Sequence, residues 1–198
     1  MNALEHQRDK QEAAISAVKL YLVRHGRAAA AWDQDPDPGL DSLGLAQAED
    51  VANRLAGDGP LPVVVSPLKR TLETAAPLVE RWHADPVVEP RIAEIQAPTQ
   101  DLAERQCWLD AVMAGRWSAQ DGERQAWRQR VIDALVSVKA DTVIFSHFVA
   151  INVAVGAATG NDLVKVFRPD HCSVTRLEVA GGGLRLVTLG GEMDTEVL

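Results

Sequence analysis

Three short apolar runs, each broken off at a polar residue, set the strongest limit on what this chain can fold into. The first lies in KLYLVRHGRAAA, where residues 20–23 are apolar or aromatic and Arg24-His25-Gly26 follows at once. The second is Pro-Val-Val-Val at residues 62–65, followed by Ser66-Pro67. The third, Asp-Thr-Val-Ile-Phe-Ser at residues 141–146, delivers His147 at its end. Runs this short, with β-branched and aromatic residues, read as buried strands. Residues 86–89 read as a further short strand.

Helical patterns lie between them. Asp41 or Ser42 can cap a helix running to about Leu55, which the breaker Gly57-Asp58-Gly59-Pro60 ends. Ser66 as N-cap, with Pro67 at the first helical position, predicts the start of the next helix. Its apolar face is expected to be Leu68, Leu72, Ala75, Val79 and Trp82, with Lys69 and Arg70 in the first turn. Pro77 should kink or shorten it. Two further helical stretches are expected near residues 99–114 and 119–138, and an alanine-rich one runs from the end of the third run to Gly160. Residues 173–189 read as a β-hairpin turning at Gly181-Gly182-Gly183.

Strands alternating with helices predict an α/β fold. The expected form is a three-layer sandwich, a mostly parallel central sheet flanked by helices, with a C-terminal β-hairpin. The chain has 198 residues and shows no internal repeat or linker, so residues 17–198 are expected to form one domain after a polar leader at residues 1–16.

The net charge of −8 argues against general binding to nucleic acid or anionic membranes. It leaves room for an anionic substrate, because a small pocket can be basic on an acidic protein. No apolar run approaches the roughly 20 residues of a membrane span. Cys107 and Cys172 have no metal-like spacing and read as reduced thiols. A cytoplasmic protein is the expectation. Asp33-x-Asp35-x-Asp37 fails as a calcium loop, since Pro38 and Gly44 stand where glycine and glutamate are required. These aspartates are expected to form an acidic loop beside the pocket mouth, and no metal or cofactor is expected.

In open α/β sheets, ligands bind outside the carboxyl ends of the strands. Arg24-His25, Ser66 with Arg70, and His147 all fall at such ends, and a helix starting there adds free N–H groups. Singly, each has an ordinary reading. A strand-end histidine can be structural, an early helix arginine is usually solvated, and Ser-Pro is explained by capping. Taken together, they describe an anion pocket.

These residues resemble the histidine phosphatase superfamily, also called the phosphoglycerate-mutase-like family. The matching features are Arg24-His25-Gly26, then Leu40-x-x-x-Gly44-x-x-Gln47-Ala48, then Ser66-Pro67-Leu68-x-Arg70 with Thr74-Ala75. They continue with Arg91-Ile92-Ala93-Glu94 and end with Ser146-His147. The resemblance implies a phosphoglycerate-mutase-like sandwich and a nucleophilic His25 that forms a phosphohistidine. It also implies Arg24, Arg70 and His147 as phosphoryl donors and Glu94 as proton donor to the leaving group, with Glu89 as the fallback acid. A neutral imidazole attacks phosphorus without a separate base, and Gly26 is expected to leave room for the phosphoryl group. Fixed cations would stabilise the charge on the transferring group without a metal.

The chain departs from the family pattern in places. Arg27-Ala28 stands where the family often has Glu or Gln and then a hydroxyl residue. Arg27 could bind a second anionic group of the substrate or pair with Asp33, Asp35 or Asp37. Phe148 replaces a common glycine and would narrow the pocket, and Ser66 counts among the substrate-side residues. His171, where asparagine is frequent, reads as a structural loop histidine. Trp108, Trp117 and Trp127 read as core, with coverage of the site as the alternative for some of them, and Arg105 and Arg116 as candidate substrate contacts.

The expected activity is hydrolysis of a small-molecule phosphomonoester. The resemblance implies a phosphatase rather than a phosphoglycerate-mutase-type phosphoryl transfer, because the family's mutases usually carry a longer insertion between the acid and the second histidine than the about fifty residues that separate Glu94 from His147. A catalytically silent phosphate-binding or interaction module is the alternative from another class. A homodimer is compatible with the sequence.

Overall fold

The structure is a computed structural model and describes residues 17–30, 34–99 and 101–193. The polar leader, Asp33 and Trp32 lie outside the described residues. The strands are β1 (Val18–Arg24), β2 (Val63–Val65), β3 (Val87–Val88), β4 (Thr142–Ser146), β5 (Val174–Ala180) and β6 (Gly183–Thr188). They form one sheet in the order β3-β2-β4-β1-β5-β6. β3, β2, β4 and β1 run parallel, and the β5–β6 hairpin adds on antiparallel to β1. The hairpin turns at Gly181 and Gly182, both at positive φ, a conformation glycine adopts without a side-chain clash.

Helices α1 (Ser42–Leu55), α2 (Lys69–Trp82), α3 (Leu102–Met113), α4 (Gly122–Val136) and α5 (Phe148–Thr159) complete the fold. The period-2 alternation of the strands builds the layers. Val23, Val65, Val143 and Phe145 pack on one face with Leu55 of α1 and Leu78 of α2. Leu20, Leu22, Ile144 and Leu177 pack on the other with Leu135 of α4 and Ile151 of α5. Both faces are covered, as parallel strands with near-continuous apolar runs require.

Asp41 caps α1, its carboxylate accepting the Gly44 N–H at 2.7 Å. The expected start of α2 needs correction. Leu68 precedes its first residue, Lys69, and Ser66 makes no cap. The Ser66 hydroxyl faces His147 instead, at 2.7 Å. The buried face of α2 is Arg70, Thr71, Thr74, Ala75 and Leu78, with Leu72 exposed. The face is rotated because its first turns look into a polar site rather than into core. Pro77 lies inside α2 and does not stop it.

Candidate active site

The carboxyl ends of β2, β4 and β1 lie side by side, and the sequence places a functional group at each. The pairing of Arg24 with Ser146 ends the β1–β4 ladder. The His25 N–H then donates to the Ser146 carbonyl at 3.1 Å, and the Ser66 N–H donates to the Phe145 carbonyl at 3.1 Å. His25 and Ser66 are thereby tied by backbone bonds to β4, which runs directly into His147. The His25 and His147 rings stand 5.3 Å apart between centroids, inclined at 56°.

The tautomer of His25 follows from its partner. Nδ1 lies 2.8 Å from the Gly26 carbonyl, which can only accept, so Nδ1 carries the proton and Nε2 the lone pair. Burial, with Arg70 and Arg24 nearby, holds the His25 pKa well below 6.5. His147 is likewise held well below 6.5, by burial and then by Arg70 and His25. Both rings are therefore neutral near pH 7.

Two arginines frame the rings. Arg70, 3% exposed, projects from the first turn of α2, and its Nη1 has no hydrogen-bond partner among the described residues. Its nearest carboxylate is Asp37, at 3.8 Å. Arg24 Nη1 donates to the Pro169 carbonyl at 2.8 Å, its guanidinium lies 5.3 Å from the Phe148 ring centroid, and its Nε is buried without a partner among the described residues. Burial lowers the Arg24 pKa to about 10, so it remains charged at neutral pH. His147 Nδ1 is likewise buried and has no partner among the described residues, so three polar atoms around His25 are left without one. Buried donors without partners are uncommon and costly.

Glu94 closes the site from a loop that the core holds in place. Ile92 and Ile95 are buried on either side of it, and the Ser146 hydroxyl donates to the Ile92 carbonyl at 2.8 Å. The carboxylate accepts the N–H groups of Ile95 at 3.1 Å and of Val149, in the first turn of α5, at 3.2 Å. Burial outweighs those bonds and the arginines, and raises its pKa above 4.5. Glu89, the fallback acid, is instead bound to Arg91 at 2.6 Å and does not line the cavity.

Arg24, His25, Arg70 and Glu94 line a cavity of about 710 Å³, with Leu109, Met113 and Phe148 as an apolar wall, while His147 and Ser66 are fully buried and do not line it. Gly26 is present for a reason other than the one expected. A β-carbon there would stand 2.6 Å from the Gly44 carbonyl oxygen, so the residue leaves room for α1. Its N–H is taken by Thr74 Oγ1 at 3.0 Å. Arg27 pairs with Asp41 at 2.5 Å, not with Asp35 or Asp37, while still lining the cavity; Asp33, the other aspartate expected, lies outside the described residues. Asp37, from the acidic loop, accepts the Lys69 N–H.

His171 is closer than a structural loop residue would be. Its ring centroid is 6.0 Å from that of His25, and burial with Arg24 lowers its pKa to about 4. Trp117 is core, and Trp108 and Trp127 are partly buried against the same cluster while lining a second cavity that Glu94 also borders. Arg105 and Arg116 do not line the main cavity. Lys165 and Arg168, at its rim, were not distinguishable in sequence, where they are merely cations interleaved with apolar residues.

The profile of the histidine phosphatase superfamily, branch 1, matches residues 20–191. A probable phosphoglycerate mutase GpmB of Erwinia tasmaniensis is 29% identical over 182 residues, covering 81% of this chain and 85% of that protein. Among solved structures, YhfR of Bacillus stearothermophilus superposes with a TM-score of 0.73 at 21% identity, covering 90% of this chain and 98% of that one. A phosphoserine phosphatase of Entamoeba histolytica, in complex with 3-phosphoglyceric acid, gives 0.71 at 19% identity, covering 89% and 98%. These likenesses match the expected α/β sandwich.

Proposed function

The chain belongs to the histidine phosphatase superfamily, and from that membership we propose that it hydrolyses small-molecule phosphomonoesters through a covalent phosphohistidine on His25. The observation that carries this reading is the single-handed tautomer of His25, which leaves Nε2 as a lone pair beside a cavity lined by Arg24 and Arg70, with the His147 ring 5.3 Å away.

In the first step His25 Nε2 attacks phosphorus and the P–O bond to the leaving group breaks. The leaving oxygen takes the proton of Glu94. In the second step Glu94, now ionised, accepts a proton from water as the water oxygen attacks the phosphohistidine. Phosphate leaves and His25 regains its neutral form. Arg24 and Arg70 stabilise the charge on the equatorial oxygens, a role in which loss of one donor typically costs 10²–10³ in kcat. Since two arginines and a histidine supply these contacts, the reaction is taken to need no metal.

The protonation states required are neutral His25 and protonated Glu94. At ordinary values of 6.5 and 4.5 that combination would be scarce. The site moves both groups the right way, His25 down and Glu94 up.

The test is phosphate release from p-nitrophenyl phosphate and a panel of sugar phosphates, nucleotides, phosphoglycerates and phosphopeptides, with EDTA present. Turnover by the wild type and its loss in His25→Ala are expected. Hydrolysis that needs an added metal, or that survives in His25→Ala, would refute the mechanism. Mutase-type transfer, the activity named for the Erwinia relative, would appear instead as isomerised phosphoglycerate without free phosphate.

A further inference from the structure

We infer that Lys165 and Arg168 form a second anion subsite, so that the preferred substrate is a phosphomonoester carrying a further carboxylate or phosphoryl group on its leaving portion. This rests on the phosphatase reading above and names the substrate class within it.

The charge distribution is the first support. In a chain of net charge −8, the cavity wall carries Arg24, Arg27, Arg70, Lys165 and Arg168 against the carboxylates Glu94 and Asp110. Phosphoryl transfer accounts for Arg24 and Arg70, and Asp41 neutralises Arg27. Lys165 and Arg168 remain. Neither side chain has a hydrogen-bond or ion-pair partner among the described residues, although Arg81, Arg91, Arg124 and Arg185 are each paired with a carboxylate. Two uncompensated cations at one rim focus an attractive field on the cavity.

The second support is the rigidity with which they are presented. Asn152, fully buried on α5, accepts the N–H groups of Val166 at 2.7 Å and Phe167 at 3.0 Å through one oxygen. Val164 and Phe167 are buried anchors, while Lys165 and Arg168 are exposed. The Arg168 carbonyl accepts the Met193 N–H, and the next carbonyl, that of Pro169, accepts from Arg24 itself. The rim cations are thus tied through the backbone to a phosphoryl-binding arginine. The same cavity carries the apolar wall of Leu109, Met113 and Phe148, suited to the uncharged middle of a substrate. Arg168 can form a bidentate contact with carboxylate or phosphate, and Lys165 adds a point charge.

The test compares 4-carbamoylphenyl phosphate, 4-carboxyphenyl phosphate and 1,4-phenylene bisphosphate. For the wild type, kcat/KM is expected to be about tenfold or more higher for one of the anionic esters, the scale of one charge-assisted hydrogen bond. The favoured ester tells carboxylate from phosphoryl recognition. In Lys165→Met/Arg168→Met the ratio of anionic to neutral ester should fall to about one, and added salt should reduce it in the wild type. Equal rates on all three esters, or a ratio that survives the double substitution, would overturn the subsite. Calorimetric binding of the same compounds to His25→Ala, with and without the double substitution, reads the subsite without turnover. Failure of hydrolysis with the binding preference intact would therefore strike the phosphatase reading and leave the subsite standing.

Discussion

Gly26 and Gly44 pack backbone against backbone. A β-carbon on Gly26 would lie 2.6 Å from the Gly44 carbonyl oxygen, and one on Gly44 would lie 2.1 Å from that of Arg27. The contact docks the loop after the proposed nucleophile onto the start of α1. It is reinforced by the Arg27 N–H on Gln47 at 2.9 Å and the Asp41 N–H on the Arg27 carbonyl at 3.1 Å.

Gly44→Ala should therefore push the loop, and His25 with it, away from the arginines. Relief of a backbone overlap of this kind costs about 1–3 kcal/mol. A lower Tm and a loss of kcat of about tenfold or more are expected in calorimetry and steady-state assays. Gly57→Ala, where nothing lies within 4 Å, should change neither by a comparable amount.

Ser66→Ala removes the hydroxyl 2.7 Å from His147 Nε2. A buried ring nitrogen would then lack its partner, at a cost of about 1–3 kcal/mol. Reduced thermal stability should accompany a fall in kcat, because the ring is no longer held against the phosphoryl position. Ser66→Thr, which keeps the hydroxyl, should recover part of both. Retention of full activity by Ser66→Ala would show that His147 is oriented by packing alone.

Glu94→Gln should separate leaving groups. Esters of basic alcohols should lose about 10²-fold or more in kcat/KM, within the range of general acid catalysis. Esters of good leaving groups such as p-nitrophenol should lose far less. In the wild type the alkaline limb of the pH profile reflects ionisation of Glu94, above the ordinary 4.5. The acid limb reflects protonation of His25, well below 6.5. The variant should lack the alkaline limb. Equal losses with both classes of ester would assign the proton to another group.

Stability should fall as the pH drops below 6.5. The folded pKa values of His25 and His147 are well below that value, and that of His171 is about 4. The unfolded chain therefore takes up these protons first, and the contribution present above pH 6.5 is lost on acidification. The share of His171 is gone below about pH 4. Glu94, with its raised pKa, acts oppositely. Its contribution is complete below 4.5 and fades as the pH rises through its folded value. Calorimetric Tm against pH should show a shallower slope between 6.5 and 4 for His171→Gln. An unchanged slope would mean that His171 keeps an ordinary pKa.

The order of strands and helices was legible because the runs at 20–23, 62–65 and 142–145 are apolar on both faces, as a sheet covered on both sides demands. Arg24, His25, Arg70 and His147 were legible as a set because each follows such a run or sits in the next helix turn, and Glu94 because Arg91-Ile92-Ala93-Glu94 matches the family's pattern. What sequence patterns misjudge here is where polar groups serve a site rather than local structure. Ser66-Pro67 carries the signal of a helix cap, but tertiary demand from His147 takes the hydroxyl. The face of α2 was misplaced for the same reason, since Arg70, Thr71 and Thr74 are buried polar residues that an apolar periodicity cannot reveal. The partner of Arg27 and the proximity of His171 depend on how loops fold back, and no local spacing encodes that.

The central claim is a phosphoryl group held on His25. Wild-type enzyme mixed with a slowly released phosphoester, quenched in base and digested, should give a phosphorylated peptide containing His25, stable to base and labile to acid. His25→Ala should give none. Steady turnover with no phosphorylated His25 at any quench time would contradict the account.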